Sequence, residues 1–202
     1  MSDSQGTPPT PSLEEKIGTL AAEKTRLQQG GGPAQIEKQH AAGKLTARER
    51  IDQLVDDGSF QEIGLFARHR ATSLGLADRE LPADGVVTGC ARIDGKVVHL
   101  ASQDFTVAGG AAGEVHSLKV AEMLRLSLKT GSPFVFVNDS GGARVQEGVD
   151  SLSGYGQVFY HNVMLSGSVP QISLICGPCA GGAAYSPALT DFIIQTRAAQ
   201  MF

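Results

Sequence analysis

An apolar, strand-like run, then a Gly-Gly pair, then a helix-like run occurs three times in this chain, and no other feature constrains its fold as tightly. The apolar runs are residues 97–104, 134–138 and 172–176; the pairs are Gly109 and Gly110, Gly141 and Gly142, Gly181 and Gly182. A strand feeding a glycine turn and a helix start leaves backbone N–H groups without partners. Such groups can bind an anion or a developing oxyanion. The pattern predicts an α/β layered fold with mostly buried strands. It also predicts a site built on backbone donors instead of a side-chain nucleophile.

The chain before the first unit has a different character. Residues 1–11 are polar and Pro-rich and read as a disordered tail. Ser12-Leu13-Glu14-Glu15 and Thr46-Ala47-Arg48-Glu49 are capping boxes, each opening a run of helical spacing. Between them, Gly30-Gly31-Gly32 stops one helix and Pro33 opens the next. Residues 12–58 therefore read as a charged helical arm, either packed on a neighbour or solvated. Residues 59–202 read as the main domain. Its hairpin is signalled by Asp94-Gly95, which suits a type I′ turn between two alternating runs. Helical stripes follow, one through Val115, Leu118, Ala121 and Leu124, another through Leu152, Tyr155, Phe159 and Val163.

Composition removes several classes of function. A formal net charge of −4 gives no basic footprint for nucleic acid. No apolar stretch approaches the roughly 18 residues of a membrane span, and the start is not a secretory signal. Three cysteines, Cys90, Cys176 and Cys179, do not make a disulfide scaffold. The expected compartment is reducing and cytoplasmic.

Three short motifs point elsewhere and lack their context. Cys176-Gly177-Pro178-Cys179 matches a thiol–disulfide redox motif, but the next residues, Ala180-Gly181-Gly182, suit a tight backbone turn. With no second cysteine pair nearby, no zinc or other metal site is expected. Asp139-Ser140-Gly141-Gly142 looks like a serine-protease nucleophile segment without its partner segments. Gly43-Lys44-Leu45-Thr46 lacks the earlier glycine and the preceding strand of a phosphate-binding loop, so no ATP site is expected.

Longer segments carry a specific resemblance. Residues 138–148, Asn-Asp-Ser-Gly-Gly-Ala-Arg-Val-Gln-Glu-Gly, are similar to a hallmark of carboxyltransferase β subunits of biotin-dependent acyl-CoA carboxylases. Ser102-Gln103-Asp104-Phe105-Thr106-Val107 and residues 177–192 resemble the same family, as do Lys38-Gln39-His40 and residues 43–50. The resemblance implies a crotonase-like fold of repeated ββα units, preceded by the helical arm. It implies carboxyl transfer from carboxybiotin, carried on a separate protein or domain, to the α-carbon of a short acyl-CoA, with propionyl-CoA favoured and acetyl-CoA possible. In that scheme released CO2 is attacked by a thioester enolate held in backbone oxyanion holes. Gly181, Gly182 and Ala183 would form one hole with Gly142 and Ala143 nearby. Gly109, Gly110, Gly141, Arg144 and Tyr155 would contact the cofactor or CoA. Arg144 could meet a CoA phosphate or pair with Glu147. The implied partners are a biotin carboxylase or biotin carboxyl carrier subunit and further copies of the chain, in a hexamer. A methylmalonyl-CoA decarboxylase or transcarboxylase subunit is the alternative, and a thiol–disulfide oxidoreductase a remote one. Since the family continues into a second crotonase-like half, these residues alone are expected to be catalytically incomplete, the main domain being truncated at its C-terminal end.

Overall fold

In this computed structural model residues 11–202 are described, so the expected tail lies outside the described residues apart from Pro11. Both capping boxes form. Ser12 Oγ accepts the Glu15 amide and Glu15 accepts the Ser12 amide, opening α1 (Leu13–Gln28). Pro33 opens α2 (Pro33–Ala41). Thr46 and Glu49 repeat the box at α3 (Ala47–Leu54). Leu13, Ile17 and Leu20 of α1 stay exposed, whereas Ala47 and Ile51 of α3 are buried against Val87, Leu100 and Val135. The last helix of the arm is thus part of the core and not a solvated extension.

The sheet begins with β1 (Gln61–Ile63), β2 (Val86–Ile93) and β3 (Lys96–Gln103), paired antiparallel. Asp94 and Gly95 both have positive φ, 49° and 75°, as the hairpin turn requires. The Asp56 carboxylate accepts both turn amides, at 2.9 and 2.8 Å. Three strands then add in parallel: β4 (Phe134–Ser140), β5 (Gln171–Cys179) and β6 (Phe192–Gln195). The short β7 (Gln200–Met201) pairs with the end of β5. Parallel neighbours need a crossover. α4 (Glu114–Thr130) joins β3 to β4 and α5 (Val149–Leu165) joins β4 to β5; α6 (Gly182–Ala188) follows β5. α4 and α5 bury Val120, Leu124, Val158 and Leu165 against Ala101, Phe134 and Phe136 on the face opposite α3. Helices cover both faces, which is why all seven residues of β4 are buried.

The carboxyl ends of β3, β4 and β5 lie at one edge, so the three glycine turns become neighbours. Only one of them starts a helix directly. Gly182 is the first residue of α6, whereas α4 begins at Glu114 and α5 at Val149, after intervening 3₁₀ turns. All three turns contain glycines with positive φ: Gly109 and Gly110 at 65° and 63°, Gly142 at 100° and Gly181 at 56°.

Candidate functional site

The glycine turns are bonded to one another in a row. The Gly141 amide donates to the Gly109 carbonyl at 3.1 Å. Ser140 Oγ donates to the Gly110 carbonyl at 2.7 Å and accepts the Gly142 amide at 3.1 Å. Ala112 and Ala143 form a parallel bridge through the Ala112 amide on the Gly142 carbonyl and the Arg144 amide on the Ala112 carbonyl, both 2.9 Å. On the other side, a Cβ on Gly142 would lie 2.7 Å from the Ala180 carbonyl oxygen. The absence of side chains is what lets the second and third turns touch.

An inventory of the amides at this edge separates used donors from free ones. Those of Gly110, Gly141, Gly142, Gly181 and Ala183 are taken, by Val107, Gly109, Ser140, Phe202 and Ala180 respectively. Among the described residues the amides of Gly109, Ala143 and Gly182 donate to nothing, and none of the three residues is fully buried. Of the five residues expected in the hole, Gly142, Ala143, Gly181, Gly182 and Ala183, two therefore offer a donor and three build the turns. Gly109 and Gly110 present carbonyls, not amides, to the neighbouring turn.

Tyr155, on α5, closes the back of the third turn. A Cβ on Gly182 would lie 3.0 Å from its ring. Its hydroxyl is buried with no partner among the described residues, and burial pushes the phenol pKa up, so it stays a neutral donor. Phe159 and Tyr185 extend the aromatic group, with centroids 5.7 Å (Tyr155–Phe159) and 4.6 Å (Phe159–Tyr185) apart.

Arg144 resolves one of the open alternatives. Its guanidinium is 2% exposed and bonded to the Asp84 and Glu147 carboxylates and to the Ala111 carbonyl. Among the described residues it pairs inward, including with Glu147, one of the two expected partners. Glu147 in turn accepts the Glu114 amide at 2.8 Å, so the pair ties the Ala143 turn to the start of α4.

Sequence reasoning missed the acidic centre beneath the turns. Asp139 is fully buried at the end of β4. Its carboxylate accepts Lys44 Nζ at 2.8 Å, Arg50 at 2.7 Å and Gln39 Nε2 at 3.1 Å, all from the arm. The available signal was an acidic residue ending an apolar strand run, which a folded chain keeps only with partners. The partners lie roughly a hundred positions away and share no local pattern with it.

The Cys-Gly-Pro-Cys run closes β5 instead of opening a helix. Burial pushes the Cys179 thiol up to about 12 and raises Cys176 as well. Cys179 Sγ contacts the Ala183 carbonyl at 3.1 Å. A redox motif needs a depressed thiol, and these thiols are shifted the opposite way.

A groove of about 1040 Å³ runs from the Gly109 turn to the arm, lined by Lys38, Lys44, Arg79, Phe105 and Pro178 among others. Lys44 stands over the Phe105 ring at 4.0 Å from its centroid. Lys38 and Arg79 form no salt bridge among the described residues. No described helix is long and apolar enough to cross a membrane.

Comparison with known proteins gives a consistent result. The profile of the carboxyl transferase domain matches residues 38–202. The chain is 58% identical over 191 residues to the methylmalonyl-CoA carboxyltransferase 12S subunit of Propionibacterium freudenreichii subsp. shermanii, covering 95% of this chain and 36% of that protein. It is 51% identical over 185 residues to the propionyl-CoA carboxylase beta chain of Roseobacter denitrificans, covering 92% and 36%. A transcarboxylase 12S crystal structure, a hexamer with methylmalonyl-coenzyme A and methylmalonic acid bound, superposes with a TM-score of 0.94 at 57% identity, over 96% of this chain and 38% of that one. The fold is thus crotonase-like, and the chain spans little more than a third of the length of these relatives.

Proposed function

This chain belongs to the carboxyl transferase domain family, and on that premise we propose that it forms one half of a site that moves a carboxyl group to or from the α-carbon of a short acyl-CoA. The observation that carries the reading is the pair of free amides, Ala143 and Gly182, on two turns in contact at the carboxyl edge of the parallel strands. A thioester oxygen placed between those turns can accept from both. As the α-proton leaves, negative charge grows on that oxygen, and donors already in place stabilise it without reorganising. Carboxybiotin, carried by a separate protein or domain, supplies the CO2 and the base.

The chain's own residues account for binding and shape. Tyr155 and Gly182 set the floor beneath the thioester. The groove with Lys38 and Arg79 suits the phosphorylated end of the CoA, whose anionic groups those two cations would neutralise. Exposed apolar residues on α5, α6 and β6, among them Leu152, Val163, Tyr185 and Ile194, suit contact with further protein, in line with a homo-oligomer and a biotin-bearing partner. Propionyl-CoA is the favoured substrate.

Titrating propionyl-CoA by calorimetry into the complete gene product tests this. Saturable heat at micromolar to millimolar ligand is expected, and its absence at millimolar ligand would overturn the reading. The 58% identity to a carboxyltransferase favours a second version, transfer between two acyl acceptors. Activity that needs ATP and bicarbonate supports the carboxylase, while ATP-independent transfer to a 2-oxo acid supports the transcarboxylase.

A further inference from the structure

Arg50, on the third helix of the arm, reaches the strands behind both amide-bearing turns at once. One terminal nitrogen donates to Asp139 Oδ2 at 2.7 Å and to the Cys176 carbonyl at 3.3 Å. Asp139 immediately precedes Ser140-Gly141-Gly142, and Cys176 precedes the Gly181-Gly182 turn. Between them the β4–β5 ladder loses register. Asn138 pairs with Ile175 and Ser140 with Cys179, so Asp139 alone faces Cys176, Gly177 and Pro178. The ladder is locally disrupted in this bulged segment, and the arm's guanidinium bonds to both strands across it.

The surroundings show a built contact. The Asp139 carboxylate is fully buried, and a Cβ on Gly177 would collide with it. Lys44 and Gln39 also donate to it, at 2.8 and 3.1 Å. Gln39 also donates to the Leu45 carbonyl, which holds α2 and the start of α3 together around the same point. No residue of this cluster belongs to either glycine turn, yet both turns leave from strands that it clamps.

We propose that Arg50 and Asp139 are positioning residues that set the stagger between the Ala143 turn and the Gly182 turn, so that the helical arm is a working part of the site. This rests on the proposed function. Oxyanion donors act only within about 2.7–3.1 Å of the developing charge, and a misplacement of about 1 Å can cost roughly a hundredfold in rate. Both bonds leave one guanidinium nitrogen, so the contact depends on the reach and direction of the arginine side chain, which the compact, strongly hydrated ammonium of a lysine does not reproduce.

The test uses the complete subunit with its biotin-bearing partner and three variants, Arg50→Met, Arg50→Lys and Asp139→Asn. Propionyl-CoA is the probe. Two quantities are read: the kinetic constants, and the thioester carbonyl stretch of bound propionyl-CoA by difference infrared spectroscopy. The stretch reports polarisation by the two amides, which a purely structural role would leave alone in folded protein. Expected is a lower stretching frequency in the wild type, moving back toward the solution value in each variant. Expected kinetics are kcat down about a hundredfold in Arg50→Met and about tenfold in Arg50→Lys, with KM within about twofold. If Arg50→Met does not fold, Arg50→Lys, which keeps the charge, decides alone. A wild-type frequency and kcat in a folded Arg50 variant overturn this inference while leaving the proposed function intact, as does a change confined to KM. Wild type that binds propionyl-CoA with no shift overturns the inference as well, and wild type that binds none overturns both.

Discussion

The guanidinium of Arg144 and the carboxylate of Asp84 form an ion pair with almost no solvent contact, at 2% and 0% exposure. Asp84 adopts it from a left-handed backbone (φ 51°), between Ala83 at 50° and Gly85 at 75°. Two consecutive non-glycine residues in that region are strained by about 1–2 kcal/mol each. Lys119 Nζ holds the bend by donating to the carbonyl of Ala83 at 2.7 Å and to that of Val86. The strained bend, the ion pair and the Ala143 turn are therefore one connected unit.

Breaking that pair from one side leaves a buried charge. Arg144→Met is expected to cost about 3–5 kcal/mol, read as a lowered urea midpoint at constant slope. Loss below about 1 kcal/mol would show that water reaches Asp84 and that the pair is not the clamp described here.

Gly142 tolerates no side chain at φ 100° with the Ala180 carbonyl 2.7 Å from its Cβ position. Gly142→Ala is expected to push the two amide-bearing turns apart and lower kcat about 10²–10³-fold, the loss associated with one oxyanion donor. Steady-state kinetics of the complete subunit check this; unchanged kcat in a folded variant would remove the shared-oxygen reading.

His116 makes stability depend on acid. Its Nδ1 donates to the Asp84 carbonyl at 2.9 Å, and Gln103 Nε2 lies 3.4 Å from its Nε2. Burial lowers its pKa to about 3, helped by the charges of Arg144 and Lys119 and opposed by the ring's bond to the Asp84 carbonyl. An unfolded histidine titrates near 6.5. Between about 6.5 and 3 the unfolded chain binds the extra proton, so this contribution is complete above 6.5 and is lost as pH falls toward 3. His116→Gln should flatten the fall in thermal midpoint across that window. Parallel curves for wild type and variant would refute the assignment.

The thiols of Cys176 and Cys179 should behave as inert groups. With Cys179 raised to about 12 and Cys176 raised too, thiolate is scarce at pH 8. Iodoacetamide at that pH should label both far more slowly than glutathione, as read by intact mass. Rapid labelling, or insulin reduction that Cys176→Ser abolishes, would restore a redox role.

Local sequence determined what local physics can decide. The capping boxes at Ser12 and Thr46, the Asp94-Gly95 hairpin and the apolar runs of β3, β4 and β5 each depend on residues within a few positions. The glycine pairs were legible as turns at strand ends for the same reason, and residues 138–148 and 177–192 were legible as a family resemblance. Tertiary structure alone decided which amides stay free, because Gly181 and Ala183 lose theirs to Phe202 and Ala180 while Ala143 and Gly182 keep theirs. It decided that Arg144 turns inward to Asp84, sixty positions away, and that Asp139 gathers Lys44, Arg50 and Gln39 from the arm. Burying a charge costs more than any local preference supplies unless a partner arrives with it. Those partners come from distant segments, and only the folded chain brings them together.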